Sequence, residues 1–264
     1  MTSGSEKRPQ GRRSGAQADL DGPGSRTLHF LTHHKCASTW LVAYVRRVGE
    51  INGLRVAATH FSDRQPTRKS DITILANATY AFAKDNVPSG VHVVRNPFAL
   101  LSSAYHSHLR THPIKDWPEL VAQRRLLEGA PKDVGVMLTI AFIERADFYA
   151  GAVGPFAALR SWDYSDARFQ TMRMEDVVRD ATATVGAALH ARFGDALALP
   201  DPREFKFERF SNKRPPGQVD ALSHYRSGDP DQWRAELPEQ ALAYVKSQLR
   251  DLLERQYPDV LRSL

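Results

Sequence analysis

Apolar and polar positions follow two rhythms along this chain. Short, nearly unbroken apolar runs occur at 27–32 (TLHFLT), 71–76 (DITILA) and 90–97 (GVHVVRNP). Runs this short, bounded by turn formers, read as strands buried on both faces. A further strand is expected at Leu54–Thr59, and FQTMRMED at 169–176 reads as a strand followed by a turn. Elsewhere the spacing becomes helical: 38–49, 98–110, 117–128, a long apolar stretch at 135–160, then 180–193 and an amphipathic 238–256. On 98–110, Leu100, Leu101, Ala104, Tyr105 and Leu109 fall on or near one face. Residues 200–232, rich in Pro, Gly and charge, read as a long loop. Strands alternating with helices predict a single α/β domain whose central parallel sheet lies between helix layers. In such sheets ligands bind at the carboxyl ends of the strands.

Composition trims this picture at the N-terminus. Residues 1–26 have almost no large apolar side chains, so they cannot bury enough surface to offset their ordering entropy. They are expected to be a disordered tail, with the folded domain over 27–264. The formal net charge is +6, which suits an anionic ligand and is too weak to argue for nucleic acid. The single cysteine, Cys36, rules out a disulfide within the chain and permits a reducing compartment. No apolar run is long enough to span a bilayer, and the N-terminus lacks the apolar segment of a signal peptide. A cytoplasmic protein without a membrane span is therefore expected. No metal-ligand pattern appears; His106 and His108 are two apart, off a common helical face.

The candidate chemistry sits at two strand ends. LHFLTHHKCASTWL at 28–41 puts Lys35, Cys36, Ala37, Ser38, Thr39 and Trp40 at a turn from strand to helix. Unpartnered N–H groups and the helix dipole make such turns good phosphate sites. The plain alternative is a βα turn with a surface lysine, Cys36 being only a small residue that fits. Arg95 closes the strand at 90–97, and Ser103 follows eight residues later inside the next helix. The third segment, HYRSGDPDQWR at 224–234, carries Arg226, Ser227 and Gly228 ahead of a tryptophan.

These three segments, in this order, resemble the sulfotransferases that use 3′-phosphoadenosine 5′-phosphosulfate (PAPS). His34-Lys35-Cys36-Ala37-Ser38-Thr39-Trp40 is similar to the family's Pro-Lys-Ser-Gly-Thr-Thr-Trp. Arg95 and Ser103 match its arginine and serine eight residues apart. Arg226-Ser227-Gly228 with Asp231-Gln232-Trp233-Arg234 is similar to Arg-Lys-Gly and Gly-Asp-Trp-Lys at the same spacing, and MRMEDVVRDATATV at 172–185 looks like the family's Tyr-Glu-Asp strand and following helix. The resemblance runs from about residue 27 to the end and implies a three-layer sandwich with P-loop NTPase-like topology. It departs at Ala37, where a glycine is usual, at Ser227, which removes a lysine, and at Asp231, which replaces a glycine.

The resemblance implies roles. The turn's N–H groups with Ser38 and Thr39 would hold the 5′-phosphate. Lys35 would neutralise charge on the bridging oxygen as sulfate leaves. Arg95 and Ser103 would hold the 3′-phosphate, and Arg226 would close from the late loop. Trp40 would lie against the adenine or serve only as core, and Phe207 is a candidate for the adenine's other face. The expected reaction is in-line transfer of a sulfuryl group from PAPS to a hydroxyl or amine of a glycan, lipid or small natural product. No metal is needed, and a homodimer is left open.

The proton acceptor is open too. The small-molecule branch of the family uses a histidine about twenty residues before the second-motif arginine, where this chain has Thr73 to Asn77. The carbohydrate branch uses a carboxylate under thirty residues after the lysine. That region reads ATHFSDRQ and offers His60 and Asp63, which could also be plain strand-end and turn residues. The short interval from Lys35 to Arg95 and the carboxylate or histidine after the second strand lean towards the carbohydrate type. Glu144 is a further candidate. Two other functions compete: a small nucleotide-dependent kinase, whose Walker ending the first turn lacks, and a non-catalytic member that binds PAPS or its product.

Overall fold

The computed structural model describes residues 27–264 apart from 67, 116 and 150. The expected tail at 1–26 lies outside the described residues. Five parallel strands form one sheet: β1 (Leu28–Leu31), β2 (Val56–Thr59), β3 (Ile72–Leu75), β4 (Gly90–Val94) and β5 (Phe169–Arg173), in the order β2-β3-β1-β4-β5. The register pairs Phe30 with Ile74 on one side and with Val91 on the other.

β1 and β3 are buried at every position, which is why their sequences are continuous apolar runs. Alternate residues serve opposite faces. Phe30, Ile72, Ile74, Val91 and Val93 pack with α1 (Ser38–Asn52), through Trp40, Leu41 and Tyr44. Leu31 and Leu75 pack on the other side against Ala83 of α2 (Tyr80–Asn86) and against Trp162. Val94 joins that side's larger cluster with Phe98, Leu100 and Leu101 of α3 (Pro97–His106). The helices after β1 and β4, neighbouring central strands, thus cover opposite faces, which opens a crevice at their carboxyl ends.

The elements differ from expectation in five places. α2 was not expected; Thr79 caps it, its hydroxyl accepting from Phe82 N–H at 3.3 Å. The expected helix at 135–160 is two, α5 (Lys132–Ile143) and α6 (Pro155–Arg160), after α4 (Pro118–Gly129). A helix cannot run through that stretch. Gly151 is left-handed at φ 71°, and a Cβ on Gly154 would sit 2.2 Å from the Ile143 carbonyl oxygen. Beyond β5, α7 (Met174–Arg179) leads to a π-helical turn at Thr182–Gly186 and α8 (Ala187–Phe193). The loop at 200–232 carries a 3₁₀ turn at Pro202–Phe205 and the single turn α9 (Phe207–Phe210). The expected helix at 238–256 is broken at Leu249 into α10 (Glu239–Gln248) and α11 (Arg250–Gln256), followed by α12 (Pro258–Arg262). Among the described residues no helix is long and apolar enough to cross a membrane.

Candidate active site at the carboxyl ends of β1 and β4

The turn after β1 is held from within. Thr32 Oγ1 donates to the Cys36 carbonyl at 3.0 Å, and Cys36 N–H donates to the His33 carbonyl at 3.0 Å. Lys35 and Ala37 are both left-handed, with φ of 65° and 55°. Ala37 is the N-cap of α1 and supplies no side-chain cap; the first helical bond runs from Leu41 N–H to the Ala37 carbonyl. The opening N–H groups of α1, from Ser38 to Trp40, are thus left to a ligand or solvent.

Arg95 ties the second strand end to this turn: its guanidinium donates to the Lys35 carbonyl at 2.9 Å. Its Nε is buried and, among the described residues, has no hydrogen-bond partner. Asn96 caps α3, its side chain accepting from Phe98 N–H at 3.0 Å, and its own N–H donates to Glu175 at the start of α7. That cap aims α3 so that Ser103 faces the same space as Arg95. Burial, followed by the neighbouring Arg95, brings the Lys35 ammonium down to about 7.

A cavity of about 560 Å³ opens here, lined by Lys35, Ala37, Ser38, Thr39, Trp40, Arg95, Ser103, Arg226, Ser227 and Gly228. The three sequence segments converge on it. Trp40 is both core and lining: it stacks on Tyr44 with ring centres 5.2 Å apart, and its indole N–H donates to the Phe205 carbonyl at 3.0 Å. Phe207 lines the wall and packs on Gly228, where a Cβ would meet its ring at 2.9 Å. Gly228 is left-handed as well, at φ 70°.

Cys36 does not line the cavity. It is fully buried, and burial pushes its thiol up to about 12, so it is the small residue that fits rather than a nucleophile. His60 and Asp63 do not line it either. Both follow β2, the edge strand, which β3 separates from β1. His60 is exposed, its carbonyl accepting from Asn77 Nδ2 at 2.7 Å; Asp63 is exposed and accepts from Arg64 at 3.1 Å. Glu144 ends α5 in an ion pair with Arg160 at 2.7 Å, away from the cavity.

Arg226 has a partner that the sequence reading missed. Its two terminal nitrogens donate to the Glu236 carboxylate at 2.8 and 3.0 Å. Ser102 Oγ donates to the same carboxylate, and His106 Nε2 lies 3.2 Å from it. Burial alone would raise this carboxyl. Hydrogen bonds from His106, Arg226 and Ser102 outweigh it and hold Glu236 at about 2.

A histidine cluster around Lys35 was also missed. His34, His112 and His224 all line the cavity, and the fully buried His108 stands behind them. The rings of His34 and His108 are 5.1 Å apart, and those of His34 and His112 5.0 Å. The available signal was His34 itself, standing where the family motif has proline. Among the described residues no group of three or more side chains is arranged to hold a metal ion.

No protein-family model matches the sequence, and no curated protein matches it. Solved structures do match the fold. Mouse sulfotransferase SULT7A1, complexed with PAP (3′-phosphoadenosine 5′-phosphate), superposes with a TM-score of 0.56 over 93% of this chain and 90% of that one, at 14% identity. Retinol dehydratase, in complex with androsterone and the inactive cofactor PAP, gives 0.51 over 89% and 83%, at 12% identity. Its complex with retinol and PAP gives 0.52 over 88% and 82%, also at 12% identity. The chain therefore has the fold of the PAPS-dependent sulfotransferases.

Proposed function

We propose that this protein is a PAPS-dependent sulfotransferase, transferring a sulfuryl group to a hydroxyl or amine of an acceptor by in-line displacement. One observation carries the reading: Lys35, Arg95 and the uncapped N-terminus of α1 meet at one cavity, bonded to each other across two strand ends. Three positive features at the mouth of a parallel sheet suit a ligand with separated anionic groups.

The residues fit PAPS at its 5′ end. The first N–H groups of α1 with Ser38 and Thr39 suit the 5′-phosphate. Lys35 suits the bridging oxygen, where charge grows as the S–O bond breaks, and a cation there favours the transition state over the ground state. Trp40 and Phe207 offer apolar faces for the adenine. At the 3′ end Arg95 brings a buried, unpartnered Nε, and Ser103 a hydroxyl. Arg226 arrives already paired with Glu236, and Ser227 adds no charge. That end is weaker than the family pattern and keeps the non-catalytic reading in play. The acceptor class is open, and a cytoplasmic setting belongs to the proposal; the buried, unpaired Cys36 is compatible with it.

The test is incubation with PAPS carrying a radiolabelled sulfuryl group and a panel of phenols, sugars and aliphatic alcohols. Label moving to an acceptor without added metal supports the transferase. Binding without transfer supports a non-catalytic binder. Magnesium-dependent transfer of the ATP γ-phosphate would instead identify a kinase.

A further inference from the structure

The late loop presents Arg226 to the cavity, and a carboxylate behind the wall holds its side chain. We propose that Glu236 is a positioning residue for the 3′-phosphate: it fixes the Arg226 guanidinium at the nucleotide site, so that a nucleotide carrying a 3′-phosphate is preferred over one without. The proposal rests on the transferase reading.

The backbone of Arg226 is fixed independently of Glu236. Its carbonyl accepts from Asp220 N–H at 2.8 Å and from the Arg214 guanidinium at 3.0 Å. Arg214 also donates to the Tyr225 carbonyl at 2.6 Å, and Gly217 N–H donates to the Ser227 carbonyl at 2.7 Å. The loop therefore sets where the Arg226 side chain begins, and Glu236 sets where it ends. Glu236 follows the 3₁₀ turn Gln232–Ala235 and takes a bond from each terminal nitrogen of Arg226.

Glu236 is itself anchored on α3, through the Ser102 hydroxyl and His106 Nε2. The same helix presents Ser103 to the cavity. One carboxylate thus ties the arginine of the late loop to the helix that carries the serine of the second segment. The side chains of the pair are only 15% and 12% exposed, so water screens their attraction little.

The pairing still leaves Arg226 able to bind an anion. A guanidinium has more N–H donors than one carboxylate can take, and Nε and the second proton of each terminal nitrogen remain. Without Glu236 the long side chain would regain rotamer freedom, which binding would then have to remove. Lys35 and Arg95 line the same cavity and would repel it, while Glu175, Glu208 and Asp229 would compete for it. Glu236 settles that competition before the nucleotide arrives.

The experiment is calorimetric binding of PAP and of adenosine 5′-phosphate, which lacks the 3′-phosphate, to wild type, Glu236→Gln, Arg226→Met and the double variant. Glu236→Gln should weaken PAP about tenfold and leave adenosine 5′-phosphate within about twofold, a split that a merely structural role would not produce. Arg226→Met should weaken PAP at least as much. In the double variant Glu236→Gln should cost nothing further, because it acts through Arg226. Where Glu236→Gln folds poorly, its buried guanidinium being unpaired, Ser102→Ala reads the same coupling. It loosens the carboxylate, keeps the charges paired, and should weaken PAP in the wild-type background but not in Arg226→Met. PAP affinity unchanged or raised by Glu236→Gln, equal losses for both nucleotides, or losses that add in the combined variants overturn this proposal alone. Wild-type protein that binds no PAP overturns the transferase reading on which it rests.

Discussion

Lys35 is held against two preferences at once. Its backbone is left-handed at φ 65°, and its ammonium, brought down to about 7, is half deprotonated near neutral pH. An anion beside it must reverse the second effect. PAP binding at pH 8 should take up close to one proton, about 0.9 if Lys35 is the sole source. Calorimetry in buffers of different ionisation enthalpy reads this directly. Lys35→Met should abolish the uptake, and uptake surviving in that variant would move the titrating group elsewhere. Ala37 is the other strained residue. At φ 55° its Cβ is a liability that glycine lacks. Ala37→Gly should stabilise the fold by about 1 kcal/mol, a rise of roughly 2–4 °C in Tm. Its strain was legible in the sequence, since alanine stands where the family motif has glycine. The histidines that line the cavity beside Lys35 were not. His60 and Asp63 were chosen by spacing from Lys35, and spacing cannot say that β3 would intervene between β2 and β1. His34 was adjacent to Lys35 all along, but the bond of its ring to His108 joins it to a residue far away in the chain.

Among the elements, the strands were the most legible, because β1, β3 and β4 are buried on both faces and must be apolar throughout. The helices were less so. The run at 135–160 is apolar enough for one helix, yet the close approach of Gly154 to the Ile143 carbonyl folds the chain back before α6. The late loop was read correctly as irregular, while its ion pair was invisible: Glu236 joins Arg226 of the loop to Ser102 and His106 of α3. Gly228 is where that loop meets Phe207 of α9, with no room for a Cβ and a left-handed φ. Gly228→Ala should therefore lift the loop from the cavity wall. The expected result is a PAP affinity weakened about tenfold or more, about 1.4 kcal/mol, with a fall in Tm of roughly 2–4 °C from the left-handed alanine. An unchanged dissociation constant would show that the loop does not close on the ligand.

Across the whole molecule, buried histidines should weigh heavily in the response to acid. His33 and His92 bond Nε2 to Nε2 at 2.7 Å beneath the first turn, with His92 stacked on Trp162 at 3.6 Å. Burial lowers His33 to about 3, and it lowers His92 and His108 well below their ordinary value. A folded-state pKa depressed below the unfolded one gives stability that is full above about pH 6.5 and lost as pH falls. Three such groups imply a loss approaching 4 kcal/mol per pH unit once the unfolded histidines are protonated. Circular dichroism should show cooperative unfolding on acidification well above the range where carboxylates titrate. A protein still folded at pH 4 would contradict neutral, buried imidazoles.

The central claim is a nucleotide site built for a second phosphate, and one calorimetric titration addresses it. Wild-type protein should bind PAP with micromolar affinity and ATP much more weakly. Arg95→Ala, which removes the guanidinium joining the two strand ends, should abolish PAP binding while leaving the fold intact. Equal affinity for PAP and ATP, or PAP binding that survives in Arg95→Ala, would contradict the account.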